Sequence, residues 1–406
     1  MAVIFPFKAV RPKIEFAAEV ASPPYDVLSS EEAREAAKPF PHSFLHVTKS
    51  EIDMPADLNI YDPAVYAKAK ENLNAMLQKG VLFKEEKPCY YIYELIMDGR
   101  SQTGLVCCSS VDDYDNGVIK KHEFTRPEKE QDRINHIRIS GAQTGNVFLA
   151  YRNVSTLDQL IKEWKSAHSP VYDFKAEDQI EHRIWVIDQQ DSIEQISTIF
   201  LHQVPCTYIA DGHHRAASAA KVRDTAGAGP EADKFLTTLF PAAELKIMPY
   251  NRVVKDLNGL DEEEFISALQ DDFMISSSDV PVDPASLHEF GMYINHKWYH
   301  LTSIEGTYTT DPIGILDVSI FSTNVLEKIL DIQDQRTDKR IDFVGGIRGL
   351  RELEKRVDNG EMKVAFSFYP VSIEQLFNIA DSGNVMPPKS TWFEPKLRDG
   401  LLTHLI

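Results

Sequence analysis

Apolar residues recur at helical spacing through "DPAVYAKAKENLNAMLQKGVL", which predicts an amphipathic helix closed by Gly80 as its C-cap. Just before it, Pro23 and Pro24 in "VASPPYDVLSSEEAREAAK" stop anything helical. Ser29 or Ser30 then caps a helix with Glu31 and Glu32 in its first turn. Two β-rich runs in "CYYIYELIMDGRSQTGLVCCSSVDDY" predict a hairpin that turns at Asp98-Gly99. A polar, charge-dense stretch follows and ends in an apolar strand, Val147 to Tyr151. "HRIWVID" reads as a strand, "DSIEQISTIFLHQV" as a helix, and "CTYIA" as a short strand. "DKFLTTLFP" and "LKIMPYNRVV" read as further strands.

The pattern changes near residue 256. "DEEEFISALQDDF" and "DVSIFSTNVLEKIL" predict helices, and "FGMYINHKWYHLTS" a hairpin turning at Asn295-His296. "IDFVGG" predicts a strand before the helix "IRGLRELEKRVDNG", and "KVAFSFYPVSIEQLFNIADSG" a strand and then a helix. Strands alternate with helices, but hairpins are present as well, so the expected class is α+β with a mixed sheet. The expected division is 1–255 and 256–406.

The 406 residues are 43% hydrophobic and 26% charged, enough for two or three domains with cores of their own. Nothing is repeated or of low complexity. With 43 Lys and Arg against 62 Asp and Glu, the net charge is -19. That sign disfavours nucleic acid or an anionic membrane as the main partner. "MAVIFPFKAVRPKIEF" lacks a basic region before its apolar residues, and no segment approaches a membrane span. The expectation is a cytoplasmic protein. Its four cysteines, Cys89, Cys107, Cys108 and Cys206, form no CxxC pair, which suits reduced thiols.

The stretch "YIADGHHRAASAAKVRDTAGAGP" carries the candidate chemistry. A strand running through Asp211-Gly212 into a helix is anion-binding architecture, because unpaired N–H groups and the positive dipole end face the same point. Asp211 is the expected N-cap, and Gly212 removes a side chain that would block a phosphate. His213, His214 and Arg215 fall in the first turn, with Arg215 offering a planar fork of donors. Histidines at a helix N-terminus favour the neutral form and suit donation or proton transfer. Ala216, Ala217, Ala219 and Ala220 allow close packing on a sheet, and Gly227 is the expected helix end. A polar, capped helix start with no ligand is the plain alternative.

"ADGHHRAASA" resembles the Asp-Gly-His-His-Arg motif of the ParB/sulfiredoxin-like superfamily, in particular its kinases of free serine. Together with "FKAVRPK", "ASPPYDVLS", "KKHEFTRPEKEQDRINH", "AQTGNVFLAY" and "MPPKSTWFEPKL", it is also similar to a large microbial family long labelled a domain of unknown function. That second resemblance covers nearly the whole chain. The first resemblance, carried by the short motif, implies a ParB/sulfiredoxin-like core in residues 1–255, followed by a C-terminal α/β region. In that group the motif binds nucleotide phosphates and magnesium, which implies ATP or ADP with Mg as cofactors. Asp211 becomes the candidate for the metal or the substrate hydroxyl, and Gly212, His213, His214 and Arg215 for phosphate contacts. Sulfiredoxin proper has a cysteine beside the motif histidine; here Cys206 lies well before Asp211, so sulfinic acid repair is not expected. The basic helix-turn-helix of DNA-partitioning relatives is missing too.

"KKHEFTRPEKEQDR" gathers Lys120, Lys121, His122, Glu123, Thr125, Arg126, Lys129, Asp132 and Arg133. Phosphoryl transfer needs cations for the developing charge and a carboxylate for the nucleophile. Glu123 is the candidate base, with Lys121, Arg126, Lys129 and Arg133 as phosphate contacts; a solvated charged loop is the alternative. "MPPKSTWF" resembles a phosphate clamp of Lys389, Ser390 and Thr391, or a proline-rigid turn. Tyr25 and Asp26 of "SPPYDV" are candidates for a cleft. Gly345, Gly346 and Gly349 miss the dinucleotide pattern and suit tight strand–helix packing. Neither a G-x-S-x-G elbow nor HExxH occurs.

These readings favour a nucleotide-dependent phosphotransferase acting on a small hydroxyl metabolite, with L-serine a candidate, and Glu123, Asp211 and His214 as catalytic groups. A non-catalytic nucleotide-binding regulator is the alternative. Expected partners are the nucleotide and a small-molecule substrate, with a homodimer as a candidate assembly.

Overall fold

The computed structural model describes residues 1–225 and 229–406, so the expected helix end at Gly227 lies outside the described residues. The chain divides into two compact units, Met1–Leu245 with Pro395–Ile406, and Lys246–Glu394. The class is α+β.

The first unit is built on a nine-stranded mixed sheet. From one edge its strands are Ile119–Lys120, Thr207–Asp211, Val147–Tyr151, Lys234–Pro241, Arg100–Ser110, Tyr90–Met97, Glu181–Ile187 and Tyr172–Lys175, with Ile4–Phe5 added on Arg100–Ser110. Two pairings are parallel, Thr207–Asp211 on Ile119–Lys120 and Lys234–Pro241 on Val147–Tyr151. The central hairpin turns where expected, with Asp98 at φ 52 and Gly99 at φ 77. Both values suit a two-residue turn whose twist matches the strands. Ile92, Leu105, Leu149, Ile196, Phe200 and Leu239 share one core, which Ala216, Ala219 and Ala220 also join. The alanines therefore do bring their helix, His213–Arg223, close to the sheet.

Local signals account for much of this. The helix Ser30–Ala37 begins with a capping box in which Ser29 and Glu32 satisfy each other's backbone amides. The helix Pro63–Gln78 is capped by Asp62 and followed by Gly80 at φ 70. The charged stretch after residue 120 is in large part a helix, Pro127–Ser140, opened by a proline at its first position. Cys89, Cys107 and Cys108 are buried free thiols and Cys206 is half-buried.

The second unit holds a six-stranded sheet in the order Phe273–Ser278, Lys297–Ser303, Glu289–Ile294, Val364–Phe368, Tyr250–Val254, Ile341–Gly345. All of these pairings are antiparallel. Asn295 and His296 turn the expected hairpin, both at positive φ. The run "LKIMPYNRVV" is split into Ile247–Met248 and Tyr250–Val254 by Pro249, which has no N–H to give to a ladder. The helix Asp317–Phe321 continues as the π-helical turn Ser322–Glu327. A Cβ on Gly346 would lie 2.7 Å from the Pro249 ring, and one on Gly345 3.0 Å from Trp392, so these two glycines serve close packing, but against Pro249 and the strand Trp392–Phe393 and not against a helix; Gly349 has open space where a Cβ would go.

The units divide ten residues earlier than expected, because Tyr250–Val254 pairs inside the second sheet. The last residues also leave the C-terminal region. His404–Leu405 pairs with Ala142–Gln143, and Thr403 bridges Val10, so Pro395–Ile406 belongs to the first unit.

Candidate functional site

The strand Thr207–Asp211 ends on Asp211, Gly212 turns the chain, and the motif helix starts at His213. Asp211 is not the N-cap. That position belongs to Gly212 at φ 97, and no side chain caps the helix. Asp211 is drawn elsewhere: its Oδ2 takes a hydrogen bond from Lys396 Nζ at 3.1 Å and lies 3.5 Å from Arg215 Nη2. Gly212 is needed twice over. Its φ is one that side chains disfavour, and a Cβ would come within 3.2 Å of the Arg215 guanidinium and 3.4 Å of the Val147 backbone. The first-turn amides are thus left without a side-chain cap, at the end of a helix that carries partial positive charge.

The two histidines fasten the loop from "KKHEFTRPEKEQDR" onto this turn. His213 is buried; its Nε2 accepts from the His122 amide at 3.4 Å, and its Nδ1 faces the Glu123 carboxylate at 3.6 Å. The His122 and His213 rings meet edge to face at 4.6 Å. His214 Nε2 accepts from the Arg126 amide at 2.9 Å. Burial holds His122 neutral, pushed down to about 4, and pushes His213 well below the usual histidine range. His214 is lowered as well, by burial and then by Lys129. For His213 and His214 it is burial, before any effect of the helix end, that favours the neutral form.

Arg215 points inward. Nη1 donates to the Asn146 carbonyl, Nη2 lies 3.5 Å from both Asp26 and Asp211, and Nε is buried without a hydrogen-bond partner among the described residues. Burial opposes its charge, but Asp26 and Asp211 override that and raise its pKa. The planar fork expected to meet phosphate oxygens is a buried hub between carboxylates. Burial would raise Asp211; Lys396 and Arg215 instead hold it well below the usual carboxylate range. Burial pushes the neighbouring Asp399 up to about 8, against the pull of Arg215.

The other candidates sort by position. Glu123 is half exposed beside His213. Lys129 is exposed, and its charge reaches His214. Arg126 is exposed and contributes its backbone amide. Lys121 Nζ lies 3.5 Å over the Tyr114 ring. Arg133 is largely buried, 2.7 Å from Asp132 and 4.0 Å over the Tyr25 ring. Tyr25 and Asp26 do join the Arg215 cluster. The helix Pro127–Ser140 is held to the motif helix by Ser218 Oγ donating to the Glu130 carbonyl and by the Lys221–Glu130 ion pair. Lys389, Ser390 and Thr391 belong to the second unit. There Ser390 Oγ is engaged by the Pro387 carbonyl at 2.6 Å, and the Lys389 carbonyl accepts from Arg252. That geometry fits the proline-rigid turn.

Lys396, Asn146 and Asp399 were not singled out in the sequence. Lys396 lay within the quoted "MPPKSTWFEPKL", but nothing local separates it from other surface lysines. Asn146 lies in the same way within "AQTGNVFLAY", and Asp399 carries no local signal.

Among the described residues no group of three or more His, Cys, Asp or Glu side chains is placed to hold a metal ion. Magnesium in nucleotide sites commonly takes one or two carboxylates and completes its shell with phosphates and water. An ionised Asp211 with Asp26 across the same guanidinium nitrogen fits that limited role. No helix among the described residues is long and apolar enough to cross a membrane.

Comparison with known proteins gives one family and several distant folds. No curated protein matches the sequence. A mutant free serine kinase in complex with AMP is 12% identical, with 73% of this chain and 92% of that one covered and a TM-score of 0.38. A conserved hypothetical protein from Pyrococcus furiosus is 15% identical, with 74% and 95% covered and a TM-score of 0.37. C-terminally truncated SbnI from Staphylococcus aureus is 11% identical, with 74% and 87% covered and a TM-score of 0.34. The model of one family, described as a protein of unknown function (DUF1015), matches residues 4–319, and the chain belongs to that family.

Proposed function

We propose that this protein transfers a phosphoryl group from a nucleotide, ATP or ADP, to a small hydroxyl metabolite at the start of the motif helix. The observation that carries the reading is the uncapped, glycine-opened turn at Gly212–Arg215 with an ionised Asp211 beside it. Nucleotide phosphates would meet the first-turn amides, where the helix end favours negative charge. Lys396 and the buried Arg215 keep Asp211 ionised. Glu123, half exposed and 3.6 Å from His213, accepts the proton of the acceptor hydroxyl. His213 and His214, neutral and tied to the backbone of residues 122 and 126, fix the loop that presents Glu123, Lys129 and Arg126. Asp211 would hold magnesium with the phosphates; the ion, when bound, neutralises charge on the transferring group. The sequence resemblance makes L-serine the first acceptor to try.

The test combines binding and turnover. Thermal melts with ATP, ADP, CTP and GTP, with and without magnesium, should show a stabilisation of about 2.7 kcal/mol at a hundredfold excess over Kd. Product from a panel of hydroxyl acceptors should then be followed by phosphorus NMR. Binding with no product from any acceptor would support the regulatory reading instead. No shift from any nucleotide would remove both.

A further inference from the structure

Every residue from His122 to Arg126 except one is tied inward. The His122 and Arg126 amides donate to the Nε2 atoms of His213 and His214. Glu123 faces His213 Nδ1 at 3.6 Å, and Thr125 Oγ1 donates to Glu130 Oε2 at 2.8 Å. The His122 side chain is buried against the His213 ring. Phe124 is the exception: at 74% it is the most exposed of the large apolar residues described. A single exposed apolar side chain is ordinary on a protein surface. The position of this one is not. The loop is fastened on both sides of it, so the ring is held out in a stretch that otherwise carries charge and hydrogen-bonding groups. The two fasteners are the first two residues of the motif helix, which puts the ring at the rim of the uncapped helix start. Arg126 and Lys129, both exposed, follow it. A benzyl group left in water forfeits the burial that its apolar area favours, and a planar surface laid on it recovers that burial. A nucleotide whose phosphates meet the first-turn amides carries such a surface, its base, outward from the helix start. Bases stack on phenylalanine through their π-faces, whatever their hydrogen-bonding edges.

We propose that Phe124 is the platform on which the nucleobase stacks, and that ring area, in place of hydrogen bonding to the base edge, selects the nucleotide at this residue. The inference rests on the helix start being a nucleotide phosphate site, to which it adds the contact for the other end of the ligand. It makes purine nucleotides the preferred class, because two fused rings cover more of the benzyl group than one pyrimidine ring. ATP and GTP then gain alike from Phe124, and CTP gains less. His213 and His214, engaged with the amides on either side, hold this platform in place together with Glu123.

The experiment measures Kd by calorimetry for ATP, GTP, CTP and inorganic tripolyphosphate, each with magnesium, on the full chain as wild type, Phe124→Ala and Phe124→Trp. Phe124→Ala should weaken ATP and GTP by roughly tenfold to a hundredfold. It should leave tripolyphosphate, which has no base, unchanged. Phe124→Trp should keep the affinity for ATP, and its added indole fluorescence should respond to ATP and not to tripolyphosphate. Because the side chain is exposed, all three proteins should melt alike without ligand. Equal weakening of ATP and tripolyphosphate in Phe124→Ala would show that the residue only shapes the loop, and overturns the platform. An unchanged Kd for ATP overturns it too, and leaves the phosphate site and the phosphotransferase standing. Selective loss of nucleotides, with no turnover of any acceptor by the wild type, supports the platform and removes the phosphotransferase in favour of the regulator. A wild type that binds neither ATP nor tripolyphosphate overturns the platform and the phosphate site together.

Discussion

Lys396 Nζ lies 3.1 Å from Asp211 Oδ2, across 185 residues of sequence. The C-terminal segment Pro395–Ile406 returns to the first unit and places an ammonium group on the carboxylate of the motif. Asp211 is thereby withdrawn from capping, and the helix start is left open.

Lys396→Met should let burial raise Asp211 and should cost about 1–3 kcal/mol at neutral pH. Asp211 has a lowered pKa in the folded state, so its stabilising contribution is present above the ordinary aspartate value of ~3.9 and is lost as pH falls through the folded value. The deficit of the variant should therefore shrink below about pH 4. Urea unfolding of both proteins at neutral and at acid pH measures this. An equal deficit at both would show that the pair does not carry the effect.

Gly212→Ala meets both a left-handed backbone and a contact with Arg215 and Val147. The backbone alone should cost about 1–2 kcal/mol. Gly141→Ala is the matched control, since Gly141 has φ 71 and open space where a Cβ would go. Thermal melts should place the Gly212 variant clearly below the Gly141 one. Equal losses would mean that the close approach at Gly212 is unimportant.

Asp399→Asn should be stabilising at high pH. In the folded state the carboxyl is raised to about 8, so between ~3.9 and 8 the folded protein holds a proton that the unfolded chain has released. Stability from this group thus falls as pH rises through that window. The asparagine variant lacks that dependence, and its advantage should grow by at most about 1.4 kcal/mol per pH unit up to pH 8. Unfolding midpoints across that range decide the matter; parallel curves would place the shift elsewhere.

Glu123→Gln leaves the fold undisturbed, because the side chain is half exposed. Under the phosphotransferase reading, kcat should fall by about 10²–10⁴ with nucleotide KM little changed. Undiminished kcat would pass the role of base to Asp211.

Short-range features were legible because their causes are short-range. Ser29 sits three residues before Glu32, and that spacing alone sets the capping box. Asp98-Gly99 and Asn295-His296 adopt positive φ in two-residue turns, a property of the residues themselves. The helix Pro127–Ser140 has no clear apolar pattern in the sequence, because only Ile134 and Ile137 mark a buried apolar face, while Glu130, His136 and Ser140 are buried as well. Their partners, Ser218, Lys221 and the Val47 carbonyl, come from other parts of the chain.

The sequence by itself determined the hairpins, the capped helices, the acidic character and the place of the Asp-Gly-His-His-Arg motif between a strand and a helix. All of these follow from residue spacing, backbone preference or composition. Tertiary structure alone decided that Asp211 binds Lys396 instead of capping, and that Arg215 turns inward to Asn146, Asp26 and Asp211. It also decided that residues 395–406 leave the second unit for the first. Each outcome is a competition between charged or hydrogen-bonding partners far apart in sequence, and burial makes the winning pair strong enough to override the local preference.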